Sequence, residues 1–262
     1  MTSDKKITVF TELLEAFETN MIRDYCKDMI KEIPDYIFEI PSSTSLKYHN
    51  ATQCQRHGQL YHIRMFGEIM NYILGLEYTR TNIATTPDVR DLMRCTAILH
   101  DALKCGRNGS KYSVFEHPAL AAEWVKNSRV EHDIPDEYKQ MLSDMCMRHS
   151  GEWNTSKRSA FTLDKPENSL EFCVHLCDYL SSRSNIDMEY SEDFKAVLAA
   201  LDGEIYERKE VKETPVTPET YTMPFGKHSG KTLIQIKNED PSYITWAKEN
   251  MGEPLKGLLA QI

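Results

Sequence analysis

From Ile7 to about Leu201, apolar residues recur at intervals of three and four, and convincing two-residue alternation is scarce. That period lays apolar side chains along one stripe of a helix, so this part of the chain has to pack helix against helix. Short polar or glycine-containing stretches at Arg80 to Thr86, Gly106 to Ser110 and Gly151 to Glu167 interrupt the pattern and read as loops. The expected fold is all-α, a helical bundle over residues 1–203. A charged run follows at 204–222, from Glu207-Arg208-Lys209-Glu210-Val211-Lys212-Glu213 to Pro215 and Pro218, and reads as a linker. The pattern changes again at 223–262. There a glycine-punctuated turn spans Met223 to Lys231, a short strand candidate Thr232 to Ile236, and a helix candidate Pro241 to Asn250. These features predict a small α+β module.

With 262 residues, 40% of them hydrophobic and 27% charged, the chain is long enough to bury a sizeable core and has the composition of a soluble globular protein. No apolar run approaches membrane-spanning length, and Met1-Thr2-Ser3-Asp4-Lys5-Lys6 does not resemble a signal peptide. The expectation is a cytoplasmic protein without membrane association. With a formal charge of −9 the chain gains little from long-range attraction to a polyphosphate backbone. A phosphate-bearing substrate must therefore be held locally, by metal ions or a few well-placed Lys and Arg. The seven cysteines form an odd set with no C-x-x-C pair, so they read as small buried hydrophobes rather than a disulfide or zinc framework.

Several histidines and aspartates fall in register with apolar helix faces. His62 precedes Phe66, Ile69 and Ile73 at intervals of four, three and four. His100 follows Met93 and Thr96 at seven and four, with Asp101 beside it. His149 follows Leu142 and Met145 at seven and four, and Asp178 follows Leu170 and Val174 at eight and four. His117 precedes Pro118, a favoured first helical residue, and so opens a helix. One inward histidine is ordinarily a satisfied core residue. An inward aspartate is different, because an unpaired buried carboxylate is very costly. Four inward histidines with two inward aspartates are jointly accounted for by metal ions, which suit imidazole and carboxylate donors and cancel the charge. Helix bundles build such sites between facing helices.

The order His62, His100-Asp101, His117, His149, Asp178 resembles the H…HD…H…H…D pattern of the HD-domain metal-dependent phosphohydrolase superfamily in its two-metal form. The flanking residues are similar to the HD domains of YhaM-like 3′→5′ exoribonucleases. Relevant segments are Ser45-Leu46-Lys47-Tyr48-His49, His57-Gly58-Gln59-Leu60-Tyr61-His62, Ile98-Leu99-His100-Asp101-Ala102-Leu103-Lys104, Met147-Arg148-His149-Ser150-Gly151 and Leu176-Cys177-Asp178-Tyr179-Leu180-Ser181. The resemblance covers roughly residues 40 to 190. His57 and Leu103 stand where the pattern has glycine, and the second departure changes the turn after the His-Asp pair.

The resemblance implies an HD-domain bundle in which Asp101 bridges two divalent transition-metal ions (Fe, Mn, Co, Ni or Zn) and Asp178 completes one shell. Such ions lower the pKa of a shared water and neutralise phosphoryl oxygens, which suits hydrolysis of phosphoesters. Lys104, and after it Arg183, are the candidates for binding substrate phosphate, Lys104 also being a candidate catalytic residue with Asp101; Tyr48, His49 and His57 are candidates for lining the pocket.

Met223-Pro224-Phe225-Gly226-Lys227-His228-Ser229-Gly230-Lys231-Thr232, with Tyr243-Ile244-Thr245-Trp246, resembles the small C-terminal domain of exodeoxyribonuclease X-like proteins. Two glycines permit a tight turn presenting Lys227, His228 and Lys231, which could contact a nucleic-acid backbone. Trp246 and Ile244 give the following helix an apolar face, and Trp246 reads as core. Five Lys against five acidic residues from Pro215 onward do not make a basic domain. The Gly-Lys-Thr ending lacks P-loop spacing.

The leading expectation is a phosphodiesterase or 3′→5′ exonuclease-like enzyme whose partner is a nucleotide or nucleic-acid substrate. A small-molecule nucleotidase or dNTP triphosphohydrolase is the alternative, and a non-catalytic metal- or nucleotide-binding module is a third reading. Nothing in the sequence points to a protein partner.

Overall fold

Thirteen α-helices form among the described residues of the computed structural model, which are 1–43, 47–157, 159–202, 217–223, 227–228, 230–250 and 255–262. The first three are α1 (Ser3–Val9), α2 (Thr11–Leu14) and α3 (Asn20–Glu32), followed by α4 (Gly58–Gly75), α5 (Glu77–Asn82) and α6 (Pro87–Leu99). Next come α7 (His117–Lys126), α8 (Asp136–Arg148), α9 (Ser169–Ser181) and α10 (Glu192–Asp202). Near the C-terminus lie α11 (Leu233–Glu239), α12 (Pro241–Asn250) and α13 (Leu255–Leu259). Short α5 occupies the beginning of the stretch read as a loop from Arg80. No helix among the described residues is long and apolar enough to cross a membrane.

Local chemistry fixes the ends of helices that carry the site. Pro87 opens α6, and Thr86 Oγ1 accepts from the Val89 amide at 3.3 Å, satisfying a donor that the helix leaves unpaired. Asn168 does the same for α9, accepting from the amides of Leu170 and Glu171. Gly151, with φ of 58°, turns the chain out of α8, a conformation that glycine adopts without strain.

The main core joins α1 to α10 through residues such as Ile22, Tyr25, Met29, Phe38, Phe66, Ile98, Leu142 and Val174, each essentially inaccessible. Full burial of one such side chain contributes about 1.5–3 kcal/mol. Central α4 packs on α6 and α9, α6 on α3 and α8, and α7 on α8. Asp91 on α6 locks this arrangement to the turn before α3. Its carboxylate accepts from the amides of Glu18 and Thr19 and pairs with Arg94 at 2.7 Å, while Arg90 grips Glu18 through two nitrogens.

A second apolar cluster gathers Met223, Leu233, Ile236, Ile244, Ala247, Leu255, Leu258 and Leu259. The strand expected from Thr232 to Ile236 is instead the start of α11. Thr232 caps it, accepting from the Gln235 amide at 3.2 Å while Gln235 Oε1 accepts from the Thr232 amide at 2.8 Å. This reciprocal capping box overrides the β-branched bias of the segment. The only pairing among the described residues here is an isolated antiparallel bridge, Thr222 to Thr232, so the α+β expectation gives way to a helical unit. Helix α12 spans the range expected for it. Most of the linker expected at 204–222, and Gly226 of the glycine turn, lie outside the described residues.

Candidate metal centre

Five helices deliver the six side chains. His62 projects from α4, and His100 ends α6 with Asp101 directly after it. His117 is the first residue of α7, His149 ends α8, and Asp178 lies on α9. Packing of these helices brings all six together, with His100 fully buried beside Asp101, around one polar cleft in the helical core. Its wall includes His62, Asp101, His117, His149 and Asp178. His62 Nε2 is 3.0 Å from Asp178 Oδ1, and His117 Nε2 is 2.9 Å from Asp101 Oδ1. His100 Nε2 lies 3.4 Å from Asp101 Oδ2 and 3.7 Å from Asp178 Oδ1, while His149 Nε2 is 3.9 Å from Asp101 Oδ1. Ligating atoms of His62, His100 and Asp178 fall within 4.8 Å of one another, as do those of His100, Asp101 and His149.

The second nitrogen of each ring is occupied. His100 Nδ1 is 3.1 Å from the Ala97 carbonyl, His117 Nδ1 2.7 Å from that of Val114, and His149 Nδ1 2.7 Å from that of Cys146. A carbonyl only accepts, so each of these nitrogens donates. Ser181 gives its own proton to the Asp178 carbonyl at 2.7 Å, so its Oγ accepts from His62 Nδ1 at 3.2 Å. In its neutral form each of the four rings therefore directs an Nε2 lone pair toward the two carboxylates. His62 Nε2 and His100 Nε2 stand only 3.3 Å apart, and buried Asp101 Oδ1 has no hydrogen-bond partner although His117 Nε2 faces it. Acceptor against acceptor is unfavourable unless a cation or a proton lies between them. Imidazoles held by an outer hydrogen bond, with Nε2 free, are the usual form of histidine metal ligands. The residues fit divalent ions.

The electrostatics agree. Burial pushes His149 down to about 3 and His62 down as well, the latter against the pull of Asp178. Burial works to raise Asp101, but Lys104, His100 and His117 together hold it well below the usual carboxylate range. Asp178 is likewise held low against burial, chiefly by His62. His100 is raised, burial opposing but Asp101 prevailing. Without an ion, the cluster balances its two carboxylates with Lys104 and a proton on imidazole.

Leu103 does not displace Lys104. The turn closes with the Lys104 amide on the Asp101 carbonyl at 3.0 Å, and Lys104 Nζ reaches Asp101 Oδ2 at 2.6 Å. Lys104 thus serves the aspartate first. Arg183 also lines the cleft; among the described residues no carboxylate pairs with it, and its guanidinium donates to the Tyr179 carbonyl at 3.1 Å and to Ser182 Oγ at 2.9 Å. His49 lines the cleft, with Nδ1 2.7 Å from Gln53 Oε1. Tyr48 does not; it is half exposed, with the Arg183 guanidinium 5.3 Å from its ring. His57 is also misassigned to the pocket. Its ring is turned away, between the Phe38 carbonyl and Asp202. Its φ of 61° is the left-handed conformation that glycine would take there, and those two bonds hold the histidine in it.

Sequence reasoning missed Gln59, His175, Trp153 and Tyr179. Gln59 Nε2 donates to Asp101 Oδ2 at 3.0 Å, while its buried Oε1 has no partner. His175 Nδ1 donates to the His149 carbonyl at 2.8 Å, and its Nε2 lies 3.2 Å from Glu152. Trp153 and Tyr179 form part of the cleft wall.

In the C-terminal unit, the basic turn is neutralised. Lys227 and His228 share Asp240 at 2.9 and 3.2 Å, and Lys231 pairs with Glu239. Trp246, expected in the core, is 49% exposed beside Tyr243.

Fold and site together define a helical protein with buried histidine–aspartate groups able to bind metal. The family model described as exodeoxyribonuclease X-like C-terminal matches residues 223–251. No curated protein and no solved structure matches the chain.

Proposed function

We propose that the chain is an HD-type, metal-dependent phosphohydrolase acting on nucleotides or nucleic-acid ends. The observation that carries this reading is the convergence of four Nε2 lone pairs on two buried carboxylates, each ring tied down by its other nitrogen. Asp101 and Asp178, with His62, His100, His117 and His149, would hold two divalent ions. Bound there, Fe, Mn, Co, Ni or Zn would supply Lewis acidity toward phosphoryl oxygens and acidify a water. The chain's own residues do the rest. Lys104 and Gln59 hold Asp101 in one orientation, and Arg183, hydrogen-bonded to the Tyr179 carbonyl and Ser182 Oγ but with no carboxylate partner among the described residues, offers its remaining guanidinium nitrogen to a phosphoryl oxygen. The exodeoxyribonuclease X-like segment supports a nuclease-related role.

A mononucleotide substrate is the second reading, favoured by the ion pairs that occupy Lys227, His228 and Lys231. The test assays the metal-reconstituted full chain on nucleoside mono- and triphosphates, cyclic nucleotides and end-labelled oligonucleotides. Divalent-dependent phosphoester hydrolysis that Asp101→Asn abolishes is expected. If oligonucleotide shortening weakens when residues 217–262 are removed, the nuclease form holds; mononucleotide turnover indifferent to that removal favours the second reading. Absence of turnover with every metal defeats both and leaves a binding module.

A further inference from the structure

The cleft over the metal-type cluster measures about 170 Å³, well below the roughly 300 Å³ at which pockets begin to enclose a whole drug-sized ligand. A phosphoryl group with part of a sugar fills that space, so the remainder of a nucleotide has to lie at the mouth. Trp153, Tyr179 and Arg183 form part of that wall. The Trp153 and Tyr179 rings are nearly parallel, with centroids 5.1 Å apart and planes 11° apart. The Arg183 guanidinium sits 4.2 Å from the Tyr179 centroid and 5.9 Å from that of Trp153. Trp153 still leaves 48% of its surface exposed. A large flat ring held half in water beside a polar cleft has stacking capacity that its neighbours do not use up.

Its position is also fixed rather than incidental. Trp153 follows two residues after Gly151, whose left-handed backbone sits against the His175 ring. That ring bonds the His149 carbonyl at 2.8 Å and lies 5.7 Å from the indole. One turn therefore sets both a metal-type histidine and the aromatic rim, which keeps ring and cluster in register.

We propose that Trp153, backed by Tyr179 and Arg183, is a stacking shelf for one unpaired nucleobase whose phosphate enters the cleft. The proposal rests on the phosphohydrolase reading for the place of the phosphate and on the aromatic geometry for the base. A base inside a duplex has both faces covered by its neighbours, so the shelf selects free nucleotides or single-stranded ends.

Calorimetric titration of the full chain, with and without Mn²⁺, compares AMP with ribose 5-phosphate. AMP is expected to bind at least tenfold more tightly, in keeping with base stacking on aromatic side chains. Trp153→Ala should cost AMP roughly tenfold while leaving ribose 5-phosphate unchanged, and Trp153→Phe should restore most of the loss. Equal affinity for the two ligands, no AMP binding in either condition, or equal losses in Trp153→Ala would overturn the shelf. A preference for AMP in a protein that hydrolyses no phosphoester sinks only the phosphohydrolase reading; turnover without that preference sinks only the shelf.

Discussion

Asp101 is the residue on which the site turns, and its environment separates ligands from supports. One oxygen receives Lys104 at 2.6 Å and Gln59 at 3.0 Å, and the other has His117 Nε2 at 2.9 Å without a hydrogen bond. Gln59 leaves its own Oε1 buried and unpartnered to make that contact, an arrangement whose cost calls for a compensating role. Gln59→Leu keeps the bulk and removes the donor. It is expected to lower divalent-ion affinity by about 10- to 100-fold, the usual effect of losing an outer-shell partner, with little change in melting temperature. Competition titration against a metallochromic dye reads this, and unchanged affinity would make Gln59 mere packing. Four candidate ligands, His62, His100, His149 and Asp178, are legible because each sits in phase with an apolar face, while Asp101 and His117 are legible from their places beside His100 and before Pro118. Gln59 and His175 are not, because their partners, Asp101 and the His149 carbonyl, are brought beside them only by tertiary packing.

At the level of elements, the long periodic helices were legible and the short C-terminal ones less so. α4 and α6 announce themselves through apolar residues at three- and four-residue spacing. The Thr232 to Ile236 segment reads as a strand from its short apolar run, yet Thr232 and Gln235 carry the capping box that makes it a helix. Five residues are too few for periodicity to arbitrate, and the end signal decides. Trp246 misled for a related reason. The second cluster is filled by Leu233, Ile236, Ile244, Leu255, Leu258 and Leu259, which leaves the indole outside. His57 shows the reverse case, where a departure from an expected glycine keeps the backbone conformation and adds two side-chain bonds to hold it.

Across the molecule, charge does two separate jobs. Around the cleft it gathers donors for cations; at the opposite end of α6 from the His-Asp pair it fastens the first helices to the bundle through Glu18, Arg90, Asp91 and Arg94. Arg90 hydrogen bonds hold Glu18 down to about 2 from 4.5, against the effect of burial and with help from Arg94. A carboxylate depressed on folding contributes stability that is complete above its unfolded value and lost as pH falls. The stabilisation should be intact above 4.5 and disappear toward 2. Thermal melts of the parent chain and Glu18→Gln are expected to differ near neutral pH and to converge on acidification through that window. A constant offset across it would mean that Glu18 acts through packing rather than charge.

The central claim, that six side chains on five helices share divalent ions, is tested most directly by counting metal. Full-length protein reconstituted with Mn²⁺, freed of excess ion and analysed by mass spectrometry for metal content should hold about two ions per chain, the number a bridged carboxylate site accommodates. Asp101→Ala should hold fewer than one while remaining folded by circular dichroism. Equal metal content in the two proteins, or none in the parent, would contradict the account.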